Sequence, residues 1–554
     1  MAEMVLPGTY IEVRPEGLIV PGRVTVGTVG IIGTAQKGPA GRATVLGSYV
    51  EAREHFGDYD AWIDGASGEL TLVRALQLAH AHGATSFIAV RIASNALESA
   101  TYVLASAGGD AVRLTAESPG TWGNTIEVQV VAATEPAFLT DETHPGNAAT
   151  LDHTPIIKNG RNRVRLSTAA DGVTRSLAII YDDDASAPTA SQVKIDRASG
   201  AMTFGLALDP ADEISASYAV DPSNATTVNL KSGTTQESYT VVSGDDLVHD
   251  LGASALVTAA PLANAGDLLS TMSDIATFGT GANTAGANGE DADAAAYLDG
   301  LELLLNEDAH IIVGAGQTDE FAADLKGHCQ LASSDALKRD RIGVVGSALD
   351  PDFDVLWGLA EDIDSDRVVF VAPGIKVTDA VSGDQVTLPG AYAAAAVAGL
   401  MSSYPPHVSL TNKSLSVRGL EIVYTPTELS VLVQHKTLAL EDRQGFRVVK
   451  GITTSGNSAW TQITTRRIVD YAKFGVRSAA SSYPGLLNND RVRTALRTTI
   501  ASFLNGMVDD EMLVSYDLDV SATRDEERQG IVRVTMILRP TFSIDFIKVT
   551  MFLE

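Results

Sequence analysis

Two textures of apolar and polar positions alternate along this chain of 554 residues. From Val24 to Ala35, "VTVGTVGIIGTA" is an apolar strand opening onto the loop "QKGPAG". "ELTLVRALQLAHAHGA" then carries apolar residues at helical spacing, and "SFIAVRIA" is a second strand, so the first hundred residues read as β-α-β. From about Thr101 the chain breaks into short alternating segments such as "TIEVQVVA", "SLAIIYDDD", "MTFGLAL" and "EISASYAV", separated by Gly, Pro, Asp and Ser, which is the spacing of an all-β domain. The first texture then returns. Helices are predicted in "DAAAYLDGLELLLNED" and "FAADLKGHCQLASS", and strands in "AHIIVGAG", "RIGVVGSA" and "RVVFVAPG". This order predicts one α/β core domain, residues 23–100 and 258–405, interrupted by a β-rich insertion at 101–257.

The stretch "GTGANTAGANGEDAD", Gly279 to Asp293, is predicted to be a mobile loop by its Gly, Ala and Asn content. "LPGAYAAAAVAGLMSSYPP" is too short and too rich in alanine for a membrane span and reads as a buried helix. Residues 406–542 read as a C-terminal α+β domain, with a helix over "ELSVLVQHKTLALED", helices around "RRIVDYAKFGVRSAA" and "DRVRTALRTTIASFLNGM", and strands "MLVSYDLDVSA" and "GIVRVTMILRP". The chain closes on "SIDFIKVTMFLE", residues 543–554, where Ile547, Val549, Met551 and Leu553 alternate as in a half-buried strand. At the other end, "TYIEVR" carries Tyr10, Ile11 and Val13 in an equally extended pattern. Two such ends expose unpaired backbone groups that invite strand addition; the alternative is that the last strand closes a sheet in its own domain.

Composition narrows the class of partner. The formal charge is −29, from 40 Lys and Arg against 69 Asp and Glu, so the overall field repels phosphate and argues against nucleic acid as a partner. The N-terminal "MAEMVLPGTYIEVRPEG" lacks the basic and apolar regions of a signal peptide, which predicts synthesis ending in the cytoplasm and no membrane insertion by this chain. Cys329 is the only cysteine, which leaves no internal disulfide and no multi-cysteine metal site.

Candidate chemistry is thin. Asp350, Asp352, Asp354 and Glu361 have the spacing of an EF-hand, but Val355 replaces its glycine and Pro351 intrudes, so a helix start with solvated acids is the better reading. His80 and His82 stand two apart, where a helix does not bring side chains together. "IIVGAGQTDE" lacks the third glycine of a dinucleotide loop, and neither G-x-S-x-G nor H-E-x-x-H occurs. No catalytic, cofactor-binding or metal residues are assigned, and no cofactor is expected.

Several stretches together resemble the contractile tail sheath family of phages and injection systems. "PGTYIEVRPEG" with "TVGIIGTAQKGPAG" is similar to the family's N-terminal arm and first core strand, and "AESPGTWGNTIEVQV" to its strand-turn motif, with Gly120, Trp122, Gly123 and Asn124 at the centre. "DRVVFVAPG", "LPGAYAAAAVAGL" and the segments from "RRIVDYAKFGV" to the end resemble its core and C-terminal domains. The insertion is matched weakly, as expected of the family's variable outer domain.

The resemblance implies a structural subunit that polymerises with itself as a helical tube of stacked hexameric rings. That tube surrounds an inner tail tube protein, meets baseplate and tail terminator proteins, and contracts from a metastable extended state to drive the inner tube through a target envelope. It would be assembled in the host cytoplasm as part of a phage tail or injection particle. It also implies an arm over residues 1–22 and a linking strand over 543–554 that exchange between subunits. Tyr10, Ile11, Val13, Ile547, Val549, Met551 and Leu553 are then the exchanging residues, and Gly17, Pro21 and Gly22 the hinge candidates. Arg466, Arg467, Lys473, Arg477, Arg491, Arg493 and Arg497 concentrate positive charge in an acidic protein and are candidates for inner-tube contact, against the plainer reading of intramolecular ion pairs. A cytoplasmic α/β enzyme using the strand ends at Gly314 or Gly346, with the insertion as a lid, is the alternative; a surface array built on the insertion is a third.

Overall fold

The computed structural model describes residues 27–62, 70–93, 96–146, 148–289 and 292–552. Of these, the residues up to Ala35, Ala40–Ile92 and those after Asp291 form one compact unit, and Gln36–Pro39 with Ala93–Glu290 form a second.

The first unit is built on an eight-stranded sheet. In chain order its strands are β1 (Val29–Gly33), β2 (Ala43–Leu46), β3 (Phe87–Arg91), β4 (Ile311–Gly314), β5 (Ile342–Gly346), β6 (Val368–Ala372), β7 (Leu438–Asp442) and β8 (Phe446–Val448). Across the sheet the order is β2-β3-β1-β4-β5-β6-β7-β8, parallel from β3 to β7 and antiparallel only at the two edge strands. Every residue of β1, β3, β4, β5 and β6 is buried, which is why these strands are continuous apolar runs in sequence and do not alternate.

Val29 and Ile31 of β1 face one layer of helices, α1 (Leu72–Ala81) and α2 (Gly390–Ser403). Ile32 faces the opposite layer, made by helices Ala294–Leu304, Ala322–Ala332 and Phe353–Ile363. All residues of α2 from Gly390 to Met401 are buried, as its small side chains require. A Cβ at Gly399 would fall 2.1 Å from the Ala79 carbonyl oxygen, so α1 and α2 meet backbone to backbone. Among the described residues no helix is long and apolar enough to cross a membrane.

The core sheet runs past residue 405, where the sequence reading ends it. The run "ELSVLVQHKTLALED", expected as one helix, is a helix over Pro426–Gln434, a turn with Lys436 at φ 68°, and then β7. Short apolar runs do not separate buried strand from buried helix by period alone, and the buried Leu438, Ala439 and Leu440 satisfy either.

The second unit extends beyond the predicted 101–257 on both sides. One of its two cores gathers Leu104, Trp122, Val128, Val228 and Val257; the other lies on a sheet ordered Met202–Phe204, Gln192–Ile195, Thr174–Tyr181, Arg163–Ser167, Glu213–Val220, Ala137–Pro145. Trp122 donates its indole N–H to the Ser118 carbonyl at 2.9 Å, and Gly123 lets Ala100 and Ala116 close to within 3 Å of where a Cβ would stand. Asn124 holds Gly286 by both backbone groups, at 2.9 and 2.7 Å, and Ala287–Asn288 pairs with Leu97–Glu98. The described part of the predicted mobile loop is therefore fixed in place: its small residues let the backbone itself make the contacts.

The C-terminal part of the first unit has a small core of its own. Helices α3 (Ile463–Ala480) and α4 (Asp490–Asp509) pack with a hairpin of β9 (Leu513–Ser521) and β10 (Arg533–Pro540) through Ile468, Ala472, Ile500, Leu504 and Met507. Asn489 caps α4 by accepting the Val492 N–H at 3.0 Å, and Thr523 and Glu526 form a capping box on the short helix between the strands.

Candidate functional site

β9 and β10 pair with each other and, among the described residues, with no further strand. Tyr516, Leu518 and Val520 of β9 and Val534, Met536 and Leu538 of β10 turn toward the α3–α4 core, while Thr535, Ile537 and Arg539 face out. A two-stranded ribbon of this kind keeps backbone N–H and C=O groups on both outer edges, each a template for another strand.

Among the described residues the terminal segment makes no ladder. After β10 it runs without regular structure as far as the described residues go, with Ile547, Val549 and Met551 at 82%, 72% and 85% exposure and Ile544, Phe546 and Phe552 as open. Leu553, and with it Tyr10, Ile11, Val13, Gly17, Pro21 and Gly22, lie outside the described residues.

One residue fixes where the segment leaves the body. Asp545 accepts hydrogen bonds from Gln462 Nε2 at 3.3 Å, Thr411 Oγ1 at 3.5 Å and Ser543 Oγ at 3.0 Å, and pairs with Lys450 at 3.4 Å. The Lys450 ammonium also lies over the Phe546 ring, 5.3 Å from its centre. The sequence reading missed Asp545, whose partners Thr411, Lys450 and Gln462 are far away in the chain.

The seven basic candidates separate into two groups. Arg466 is buried, donates to Asp366 at 2.8 Å and Asp470 at 2.7 Å, and stacks on Trp460; Arg467 is buried and donates to the Tyr404 carbonyl at 3.0 Å. Lys473 and Arg477 both reach Asp340, Arg477 at 2.7 Å. Arg466, Lys473 and Arg477 tie α3 to the residues just before β5 and β6, and Arg467 ties it to the residue that follows α2. Arg466, Lys473 and Arg477 make the intramolecular ion pairs of the plainer reading, and Lys473 and Arg477 stay half-buried. Burial works to raise the Asp340 carboxyl, but Lys473, Arg477 and Arg367 overcome it and hold the group below the usual carboxylate range. Arg493 is occupied by Glu527 at 2.9 Å, Asn488 at 2.8 Å and Asp490. Arg491 and Arg497 are exposed, and Arg497 lines a shallow groove with Asn505, Tyr516 and Asp517.

The strand ends required by the enzyme alternative are filled. A Cβ at Gly346 would stand 1.9 Å from the Gly390 carbonyl oxygen at the start of α2, and one at Gly314 would meet the Phe321 ring at 2.6 Å. Beside them, Tyr297 donates its hydroxyl to the Ala315 carbonyl at 2.8 Å. In open α/β sheets ligands sit at these carboxyl ends, and here protein occupies them. The other motifs have local roles: Asp352 caps the helix Phe353–Ile363, and His82 bonds the Leu78 carbonyl while accepting the Ser416 N–H at 3.1 Å.

Residues 455–554 match the family described as the phage tail sheath C-terminal domain. No curated protein sequence matches the chain. The fold is similar to that of a sheath tail protein from Desulfitobacterium hafniense, with TM-score 0.60 and 15% identity over 96% of this chain and 100% of the other. It is similar as well to a sheath tail protein from Listeria innocua, with TM-score 0.57 and 14% identity over 94% and 93%. The helical sheath of the anti-feeding prophage in its contracted state covers 100% of both chains with TM-score 0.50 and 12% identity.

Proposed function

We propose that the chain is the structural subunit of a contractile tail sheath, a reading supported by the match of residues 455–554 to the phage tail sheath C-terminal domain and by a fold similar to that of sheath tail proteins. It polymerises as a helical tube around an inner tube and contracts from a metastable extended state. Baseplate and tail terminator proteins bound the tube. The driving free energy is the better packing of subunits in the contracted lattice, so the switch needs no cofactor.

The observation that carries this reading is the pairing of supply and demand at the C-terminus: a two-stranded ribbon that pairs with no further strand among the described residues, and an exposed apolar segment after it. In the proposed lattice Ile547, Val549, Met551 and Leu553 of one subunit, with Tyr10, Ile11 and Val13 of another, add strands to the ribbon of a third, and the segment around Gly17, Pro21 and Gly22 is the hinge. Cross-strand side-chain pairs contribute only about 0.2–1 kcal/mol each, but a strand given at both ends keeps neighbours tethered while rigid bodies turn. Arg491 and Arg497 are the residues proposed to face the inner tube.

Negative-stain microscopy of the full chain beside a chain ending at Phe542 tests the reading. Long hollow striated tubes from the full chain alone support it. Small closed oligomers from both chains would return the weight to an enzyme, since only an interface that does not close on itself gives filaments.

A further inference from the structure

The inserted unit holds a group of side chains that sheath assembly leaves unused. Strand Ala137–Pro145 runs antiparallel to Glu213–Val220, and the register slips between Ala216 and Tyr218, opposite Asp141, which takes φ 52°. The bulge re-aims the side chains beyond it. Glu142 and His144, two apart on the strand, come to one face, and the His144 Nε2 contacts the Glu142 carboxylate. Asp152, from the connection after this strand, donates its backbone N–H to the same Glu142 oxygen at 3.1 Å and brings its own carboxylate to the group. A ring nitrogen of His144 and a carboxylate oxygen from each acid all lie within 4.8 Å of one another.

Two further features distinguish the group from a surface ion pair. The second oxygen of Glu142 is held by the Tyr218 hydroxyl at 2.5 Å, and Tyr218 is itself fixed by the His153 N–H at 3.2 Å, so the carboxylate is oriented by a chain of hydrogen bonds behind it. His144 is buried at 8% exposure while Asp152 is exposed, so the group has a protein side and an open side.

We propose that Glu142, His144 and Asp152 bind a divalent transition ion of the zinc class, with Tyr218 as a positioning residue and water completing the open side. One imidazole and two carboxylates form an N/O donor set suited to zinc; magnesium and calcium prefer oxygen alone. The bound ion cross-links the strand to the connection that carries Asp152 and stabilises the inserted unit by mass action.

The test is calorimetric titration of the full chain, dialysed free of metal, with zinc chloride and separately with magnesium chloride, alongside thermal unfolding with and without zinc. The expected result is saturable uptake of about one zinc per chain, a raised unfolding midpoint and no comparable magnesium binding. Asp152→Asn, an exposed position that does not endanger folding, and Glu142→Gln should each weaken zinc binding by about tenfold or more, and Tyr218→Phe by about tenfold with the fold intact. His144→Gln should abolish uptake, and if that variant does not fold, Asp152→Asn decides. Absence of saturable zinc uptake overturns the proposal. So does uptake that Asp152→Asn and Glu142→Gln leave unchanged, which would assign the ion to other histidines, or magnesium bound as tightly as zinc.

Discussion

The Arg367 guanidinium meets both carboxylate oxygens of Asp470, at 2.9 and 3.0 Å, joining the amino end of β6 to the middle of α3. The forked geometry makes this a two-bond contact of fixed orientation. Arg367 also reaches Asp340 at 3.1 Å, so one guanidinium, two aspartates and the Lys473 and Arg477 head groups act as a unit.

Removing the charge at the centre of this unit should be costly. Asp340→Asn leaves three cations facing a neutral amide in a buried place and should lower stability by about 3 kcal/mol in urea unfolding. Because the folded Asp340 carboxyl is held below its unfolded value, its contribution is present at neutral pH and is lost as pH falls through the acid range below about 4. The variant should therefore show a shallower acid limb than the parent chain.

His328 sets an earlier acid sensitivity. Its Nε2 accepts from Arg341 at 3.0 Å, and burial, with Arg341 adding to it, lowers the imidazole to about 3. In the unfolded chain an imidazole binds its proton near pH 6.5, so between these values the unfolded state gains protons that the folded state refuses. Stability should fall as pH drops below about 6.5, and His328→Gln should recover about 2 kcal/mol of that loss at about pH 5, measured by denaturant titration at the two pH values.

Gly346 is a packing requirement. Its α-hydrogen faces the Gly390 carbonyl at a distance where any Cβ collides with backbone, which cannot step aside as a side chain can. Gly346→Ala should cost about 3 kcal/mol or more, visible as lost soluble yield and a lowered unfolding midpoint. A midpoint unchanged from the parent would contradict the close packing of β5 on α2.

Charge reversal distinguishes the two groups of arginines. Arg491→Glu with Arg497→Glu should leave subunit stability within about 0.5 kcal/mol of the parent, since both are exposed, yet weaken co-sedimentation with inner tubes and flatten its salt dependence. Arg466→Glu should instead destabilise the subunit itself. Unchanged tube binding in the double variant would remove Arg491 and Arg497 from the interface.

Legibility in the sequence followed burial and distance along the chain. β1, β3, β4, β5 and β6 were readable because strands buried on both faces are continuous apolar runs. β7 was hidden because Leu429 to Leu440 carries apolar residues that a helix or a strand can use. The positive charge of α3 was plain in the sequence, but Asp366 and Asp340 lie 100 and 133 residues before Arg466 and Lys473, so its neutralisation was not. The same separation concealed the role of Asp545. The segment from Gly279 failed for another reason: its composition signals freedom, while its backbone is held by one asparagine far upstream.

The contacts at Asp545 decide how this subunit takes load. A pull on the terminal segment meets Lys450, Gln462 and Thr411 before it reaches β10, so the force enters the body at the core sheet and the start of α3. The hairpin is thereby shielded from being peeled open one bond at a time. The contacts on that single carboxylate must yield before the ribbon feels tension. On the proposed strand exchange, a subunit wired this way would follow its neighbour while its own hairpin stays slack.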